Sequence, residues 1–137
     1  MIIVLDTNVV ISGILKPYSP SAVILRLVAE GAIQAAYDLR SLTEYRDVLT
    51  RAEFNFSQGT VDAFLTQMEQ EGLSVSCRPL ESHLPDPDDE PFLEIALATK
   101  AMAIVTGNKR HFPKGEYEGV KILSPAEFVK VMEKNFL

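Results

Sequence analysis

Asp6, Glu44 and an acidic run at Asp86, Asp88, Asp89 and Glu90 are the residues of this chain whose types suit chemistry, and Asn108 adds an amide. Clustered carboxylates repel one another, so at neutral pH they take a cation or stay partly protonated. Hard oxygen ligands of this kind select Mg²⁺ or Mn²⁺. Such an ion orients a phosphodiester, lowers the pKa of an attacking water and neutralises charge on the leaving oxygen. The chemistry on offer is therefore phosphodiester hydrolysis. Each acid also has a purely structural reading. Asp6 can cap a helix after the first strand, and Glu44 can close a capping box with Ser41. The four acids from Asp86 to Glu90 are also favourable charges at a helix N-terminus. Spacing alone leaves both readings open.

These acids meet only if the elements around them share one rim. Ile2-Ile3-Val4-Leu5 is short, apolar and continuous, as in a strand buried on both faces, and it stops at Asp6-Thr7-Asn8. Pro17 and Pro20 flank a loop; Ser19 or Ser21 then caps a helix through Glu30, which Gly31 ends. Ile33 to Tyr37 is a strand candidate. Ser41 opens a helix with Glu44 in its first turn and Leu42, Tyr45, Val48 and Leu49 as its apolar stripe. A helix from about Thr60 to Glu71 closes at Gly72, and the alternation of Leu73 to Cys77 predicts a strand. After the acidic run, Phe92 to Ala98 reads as a helix. Ala103 to Thr106 reads as a strand ending in a Gly107-Asn108 turn. Val120 to Leu123 is a last strand, and Ser124-Pro125 starts a helix through about Lys134. This alternation predicts an α/β protein, a three-layer α/β/α sandwich with a mostly parallel central sheet. Sites in such sheets form beyond the carboxyl ends of the strands, where Asp6 and Thr106 to Asn108 fall.

The totals set bounds. The 137 residues suit a single domain over 1–137, and 47 % hydrophobic with 23 % charged residues is ordinary for a globular protein. The lone Cys77 forms no internal disulfide, and the N-terminus shows neither a signal-peptide pattern nor the roughly 20 apolar residues of a membrane span. The expectation is a cytoplasmic protein without a membrane. A net charge of −6 and a pI near 4.9 speak against a broad basic face for phosphate contacts. Acids neutralised by divalent metal, or a basic partner, accommodate that charge.

Read in order, four segments resemble the PIN-domain family, specifically its VapC-type toxin branch. IIVLDTNVVISGIL resembles the family's first strand, D-T-N and small-apolar helix, and SLTEYRDVLTR its second acidic motif. LPDPDDEPFLEIALATKAMAIVTGNKRHFP resembles its acid-rich loop, alanine-bearing helix and strand ending in T-G-N-K-x-H-F; VKILSPAEFV resembles its last strand and helix start. The resemblance covers nearly the whole chain. It implies a metal-dependent endoribonuclease, often dimeric, paired with a small antitoxin. Carried over residue by residue, Asp6, Glu44 and Asp89 match the family's metal acids, Asp89 being chosen because it lies seven residues before the helix alanine Ala96. Where the family often carries a fourth acid, this chain has Asn108, which leaves three acids plus an amide at the metal. Thr7, Asn8 and Thr106 then support the carboxylates.

Lys109, Arg110 and His111 follow the turn and read as RNA phosphate contacts or as a solvated turn. Tyr37, Tyr45 and Tyr117 are candidates for base stacking, with helix packing favoured for Tyr45. Cys77 reads as core. The apolar faces at Phe64 and Phe128 are candidates for contact with a second copy. A haloacid-dehalogenase-type phosphatase needs a second Asp where Asn8 stands. A receiver domain needs an acidic pair at the end of the first strand, where Leu5 precedes Asp6. The remaining alternative is a non-catalytic PIN fold that binds RNA or a protein, kept open by Asn108.

Overall fold

The computed structural model describes residues 1–136. Its elements are β1 (Ile2–Leu5), α1 (Thr7–Leu15), α2 (Pro20–Ala29), β2 (Gln34–Tyr37), α3 (Leu39–Leu49), α4 (Gln58–Glu71) and β3 (Leu73–Ser74), followed by α5 (Glu90–Thr99), β4 (Ala103–Val105), β5 (Glu116–Tyr117), β6 (Val120–Leu123) and α6 (Pro125–Phe136). Short 3-10 turns lie at Ala52–Phe54, Pro87–Asp89 and Lys109–His111. The six strands run β3-β2-β1-β4-β6-β5, parallel throughout except for the antiparallel β5–β6 pair. This is the mostly parallel α/β sheet flanked by helices that the sequence predicts.

The central strands explain why their sequences do not alternate. Ile3, Val4 and Leu5 of β1, and Ala103, Ile104 and Val105 of β4, are all fully buried, because helices cover both faces of the sheet. Each fully buried Val, Leu or Ile contributes roughly 1.5–3 kcal/mol of transfer free energy. β1 pairs with β2 on one side and β4 on the other, so strand order reverses beside it and a crevice opens beyond Leu5 and Val105.

Local capping differs from expectation at α3. Asp38, not Ser41, is the N-cap: its carboxylate accepts from the Arg40 and Ser41 amides while Ser41 Oγ accepts from the Asp38 amide. The overlapping D-x-x-S pattern wins over S-x-x-E, so Glu44 lies in the second turn and is free of capping. The strand expected over Leu73 to Cys77 pairs only at Leu73–Ser74. Cys77 is half-buried in the following loop, packed against the edge of the core with its Sγ 3.8 Å from Asp38 Oδ2. Phe128 is completely buried and offers nothing to a second copy, while Phe64 packs edge-on against Tyr45 with ring centroids 5.8 Å apart. No helix among the described residues is long and apolar enough to cross a membrane.

Candidate metal centre

The crevice beyond β1 and β4 gathers side chains from four parts of the chain. Asp6 follows β1 directly, and its amide donates to the Val105 carbonyl at 2.9 Å, extending the β1–β4 pairing to the carboxylate itself. Its Oδ1 accepts from the Thr7 amide at 2.8 Å at the start of α1. Its Oδ2 accepts from Thr106 Oγ1 at 2.7 Å and from Asn8 Nδ2 at 3.2 Å. The structural and functional readings of Asp6 therefore coexist: it caps α1 and still faces the rim.

Glu44 reaches the same rim from α3, where it accepts a hydrogen bond from Thr7 Oγ1. Its neighbour Tyr45 is fully buried and donates through its hydroxyl to the Leu5 carbonyl, so α3 is fastened to the last residue before Asp6. That hydroxyl bond and the burial of Tyr37 remove both tyrosines from any stacking role. Asn8 holds a second fastening, with its Oδ1 accepting from the Gly107 amide at 2.9 Å. A Cβ at Gly107 would lie 3.2 Å from that oxygen, so the close approach suits glycine.

The acidic run sorts itself by environment. Asp86 caps the 3-10 turn by accepting from the Asp88 amide at 2.9 Å. Asp88 is exposed, and Glu90 is tied to His83 Nδ1 at 3.1 Å and the Leu84 amide at 3.0 Å. Of these four acids only Asp89 is buried, 7 % exposed, and its Oδ2 has no hydrogen-bond partner among the described residues. A buried carboxylate oxygen without a partner is costly, and a cation bound through oxygen would satisfy it.

His111 completes the cluster from the 3-10 turn after β4. Its Nδ1 lies 3.4 Å from Asp89 Oδ1 and 3.9 Å from Asp6 Oδ2, and is likewise buried without a hydrogen bond among the described residues. One ligating atom from each of Asp6, Asp89 and His111 falls within 4.8 Å of the other two. Asn108 does not point at the carboxylates. Its Oδ1 caps the turn by accepting from the Arg110 amide at 3.2 Å, and its Nδ2 stands 3.0 Å from His111 Nε2. Thr106 Oγ1 accepts from the Asn108 amide at 3.0 Å, which sets the turn. Lys109 is paired with Glu127 at 2.8 Å, and Arg110 is exposed beside it.

Electrostatics agree with the geometry. Burial raises the Asp6 carboxyl above its usual range despite the donors from Thr106 and Thr7. Burial likewise raises Glu44, with Asp6 and Asp88 adding to the rise against the Thr7 bond. Asp89 is pushed up to about 6, first by burial and then by the negative charges of Asp6, Asp86 and Glu44, with His111 opposing. Three acids on one rim, each disfavoured as an anion and one with an orphaned oxygen, fit a divalent cation held through oxygen. A cleft of about 400 Å³ lined by Asn8, Ser12, Gly107 and Asn108 opens beside them. A larger groove of about 780 Å³ holds Arg78, Glu94 and Lys114 and none of the three acids.

Two features escaped the sequence reading. The position of His111 against Asp6 and Asp89 was hidden inside a basic triplet. A clamp also lies behind the site, where Arg40 bridges Asp38 and the buried Glu94 at 2.7 Å each, and Glu94 Oε2 accepts from the Leu80 amide at 3.3 Å. Hydrogen bonding to Asp38 and Glu94 holds the guanidinium well above its ordinary pKa.

Comparison with known proteins gives the same architecture. A chain in the crystal structure of VapBC2 from Rickettsia felis, bound to a DNA fragment from their promoter, superposes with a TM-score of 0.57 at 16 % identity, over 90 % of this chain and 98 % of that one. A chain of FitAcB from Neisseria gonorrhoeae superposes at 0.54 and 17 % identity, with the same coverages of 90 % and 98 %. No curated protein matches the sequence. The family model described as the PIN domain matches residues 2–110, a span that includes Asp6, Glu44, Asp89 and Asn108. The chain belongs to the PIN-domain family, whose members are generally nucleases.

Proposed function

We propose that this protein is a metal-dependent endoribonuclease and the toxin of a toxin–antitoxin pair. The observation that carries the reading is the buried, unpartnered Asp89 Oδ2 on a rim shared with Asp6 and Glu44. Asp6, Glu44 and Asp89 would hold Mg²⁺ or Mn²⁺. When bound, that cation lowers the pKa of an attacking water and neutralises charge building on the phosphoryl oxygens.

The chain's own residues do the rest. Thr106, Thr7 and Asn8 fix the Asp6 and Glu44 carboxylates through hydrogen bonds, so little reorganisation is needed when substrate arrives. Arg110, exposed on the turn beside the rim, and Lys109, half-exposed in its pair with Glu127, are placed to meet backbone phosphates of an RNA strand. A small antitoxin and a second copy of the chain belong to the same reading. Leu15, Tyr18 and Leu39 are large apolar side chains left exposed for such contacts, Tyr18 being 99 % exposed.

The test is incubation of the purified protein with end-labelled single-stranded RNA and DNA, with Mg²⁺, Mn²⁺ or chelator. Asp6→Asn serves as the control for contaminating nuclease. Internal cleavage of RNA that needs metal and is lost in the variant is the expected result. No metal-dependent cleavage across varied RNAs would overturn the catalytic reading in favour of a binding module.

A further inference from the structure

We infer that His111 is a metal ligand of this site, its Nδ1 joining Asp6 and Asp89 where a fourth acid is missing, and that the site selects a transition-metal ion over Mg²⁺. The inference deepens the functional reading above and rests on it for the presence of a cation.

Geometry comes first. His111 Nδ1 is buried, makes no hydrogen bond and points at two carboxylates, 3.4 Å from Asp89 Oδ1 and 3.9 Å from Asp6 Oδ2. Asp89 Oδ2, also without a partner, belongs to a residue only 7 % exposed. Two buried polar atoms on facing side chains, neither with a hydrogen-bond partner among the described residues, suit coordination to one cation. Glu44 lies outside this close group of three, its carboxylate bonded to Thr7 Oγ1, and would meet the same cation from the α3 side.

Sequence supplies the reason for the exchange. Asn108 brings no charge, and its side chain is occupied at the turn, with Oδ1 on the Arg110 amide and Nδ2 beside His111 Nε2. The 3-10 turn Lys109–His111 folds the imidazole back over the rim, three residues after the position of the missing acid. Asn108 then acts on the metal through His111, by fixing the ring. Ligation through Nδ1 requires the imidazole proton on Nε2. A half-turn of the Asn108 amide presents Oδ1 to that proton and releases the Arg110 amide.

The chemical consequence is selectivity. Mg²⁺ keeps most of its water and binds one or two carboxylates, whereas an imidazole nitrogen favours first-row transition metals. His111 therefore adds affinity for Mn²⁺ and heavier ions and little for Mg²⁺.

The test uses tag-free protein and Mn²⁺ as the probe. The chain has two histidines, and His83 lies on the loop paired with Glu90, so a nitrogen signal can be assigned by substitution. Pulsed electron paramagnetic resonance of the Mn²⁺ complex should show coupling to a directly bound imidazole nitrogen in wild type and in His83→Gln, and none in His111→Gln. Calorimetry should show Mn²⁺ affinity reduced by roughly tenfold or more in His111→Gln, with Mg²⁺ affinity changed by less than about threefold. Equal melting temperatures of His111→Gln and wild type in chelator would show that the fold is intact. Bound Mn²⁺ lost in Asp6→Asn but showing no nitrogen coupling in wild type would overturn the role of His111 while leaving the carboxylate site standing. Failure of wild type to bind Mn²⁺, or binding unaffected by Asp6→Asn, would overturn both.

Discussion

Thr106 Oγ1 donates to Asp6 Oδ2 at 2.7 Å, joining residues one hundred apart in sequence at the carboxyl ends of two paired strands. The same hydroxyl oxygen accepts from the Asn108 amide, so one side chain orients a carboxylate and begins the turn that delivers His111. Thr106 is 0 % and Asp6 5 % exposed, so the bond between them matters, because neither side chain has water to fall back on.

Thr106→Val keeps the shape and removes the hydroxyl. Thermal denaturation in chelator should show a loss of about 1–2 kcal/mol. Divalent-metal affinity should fall by roughly tenfold or more, the usual cost of losing a group that orients a ligand. Unchanged affinity would mean that Asp6 is held well enough by Thr7 and Asn8 alone.

Asp89→Asn should stabilise the metal-free protein at neutral pH. The Asp89 carboxyl sits at about 6 in the fold against 3.8 ordinarily, so the folded state retains a proton that the unfolded chain releases. Below about pH 4 both states are protonated and the group is neutral in its effect; between about 4 and 6 the stability of the folded state falls as pH rises. With solvent screening counted, the cost above that window is on the order of 1–3 kcal/mol. Melting curves in chelator should place the variant above wild type at pH 7.5, with the gap closing near pH 4. Added Mn²⁺ should reverse the order at pH 7.5 by stabilising wild type alone.

Gly72→Ala should be severely destabilising although no active residue is near. A Cβ there would collide with the Met68 carbonyl oxygen and lie 2.8 Å from the Ala35 carbonyl oxygen, both backbone atoms that cannot step aside. A loss of about 3 kcal/mol or more in denaturant titration is expected. A loss below about 1 kcal/mol would mean that α4 can shift against β2.

Arg40→Met should loosen the loop before the acidic run. The substitution leaves the buried Glu94 with the Leu80 amide as its hydrogen-bond donor. Stability should drop by about 1–3 kcal/mol, and limited proteolysis should cut faster between Ser76 and Pro85. Unchanged cleavage there would show that the clamp does not hold the loop.

Much of this was legible in the sequence because the buried parallel strands cannot alternate: Ile3 to Leu5 and Ala103 to Val105 announce a covered sheet directly. Asp6 was legible for the same reason, standing where such a strand must end. Asp89 was not distinguishable from Asp86, Asp88 and Glu90 by composition, since what separates them is burial and partners. At the α3 cap D-x-x-S and S-x-x-E overlap in the sequence, and only the Asp38 side chain's bonds to the Arg40 and Ser41 amides choose between them. In the sequence His111 groups with Lys109 and Arg110 as one basic triplet, whereas a single 3-10 turn separates their directions. β5 has two residues and pairs only with β6, too short for any pattern to mark.

The central claim, that Asp6, Glu44 and Asp89 act together on one cation in a nuclease, is tested most directly by single-turnover RNA cleavage. Wild type, Asp6→Asn, Glu44→Gln and Asp89→Asn should be compared at saturating Mn²⁺. The account predicts that each variant loses at least about a hundredfold in rate while remaining folded, and that the Asp6→Asn, Asp89→Asn double variant is little worse than either single, as for groups acting as a unit. Cleavage by Asp89→Asn at the wild-type rate would contradict it.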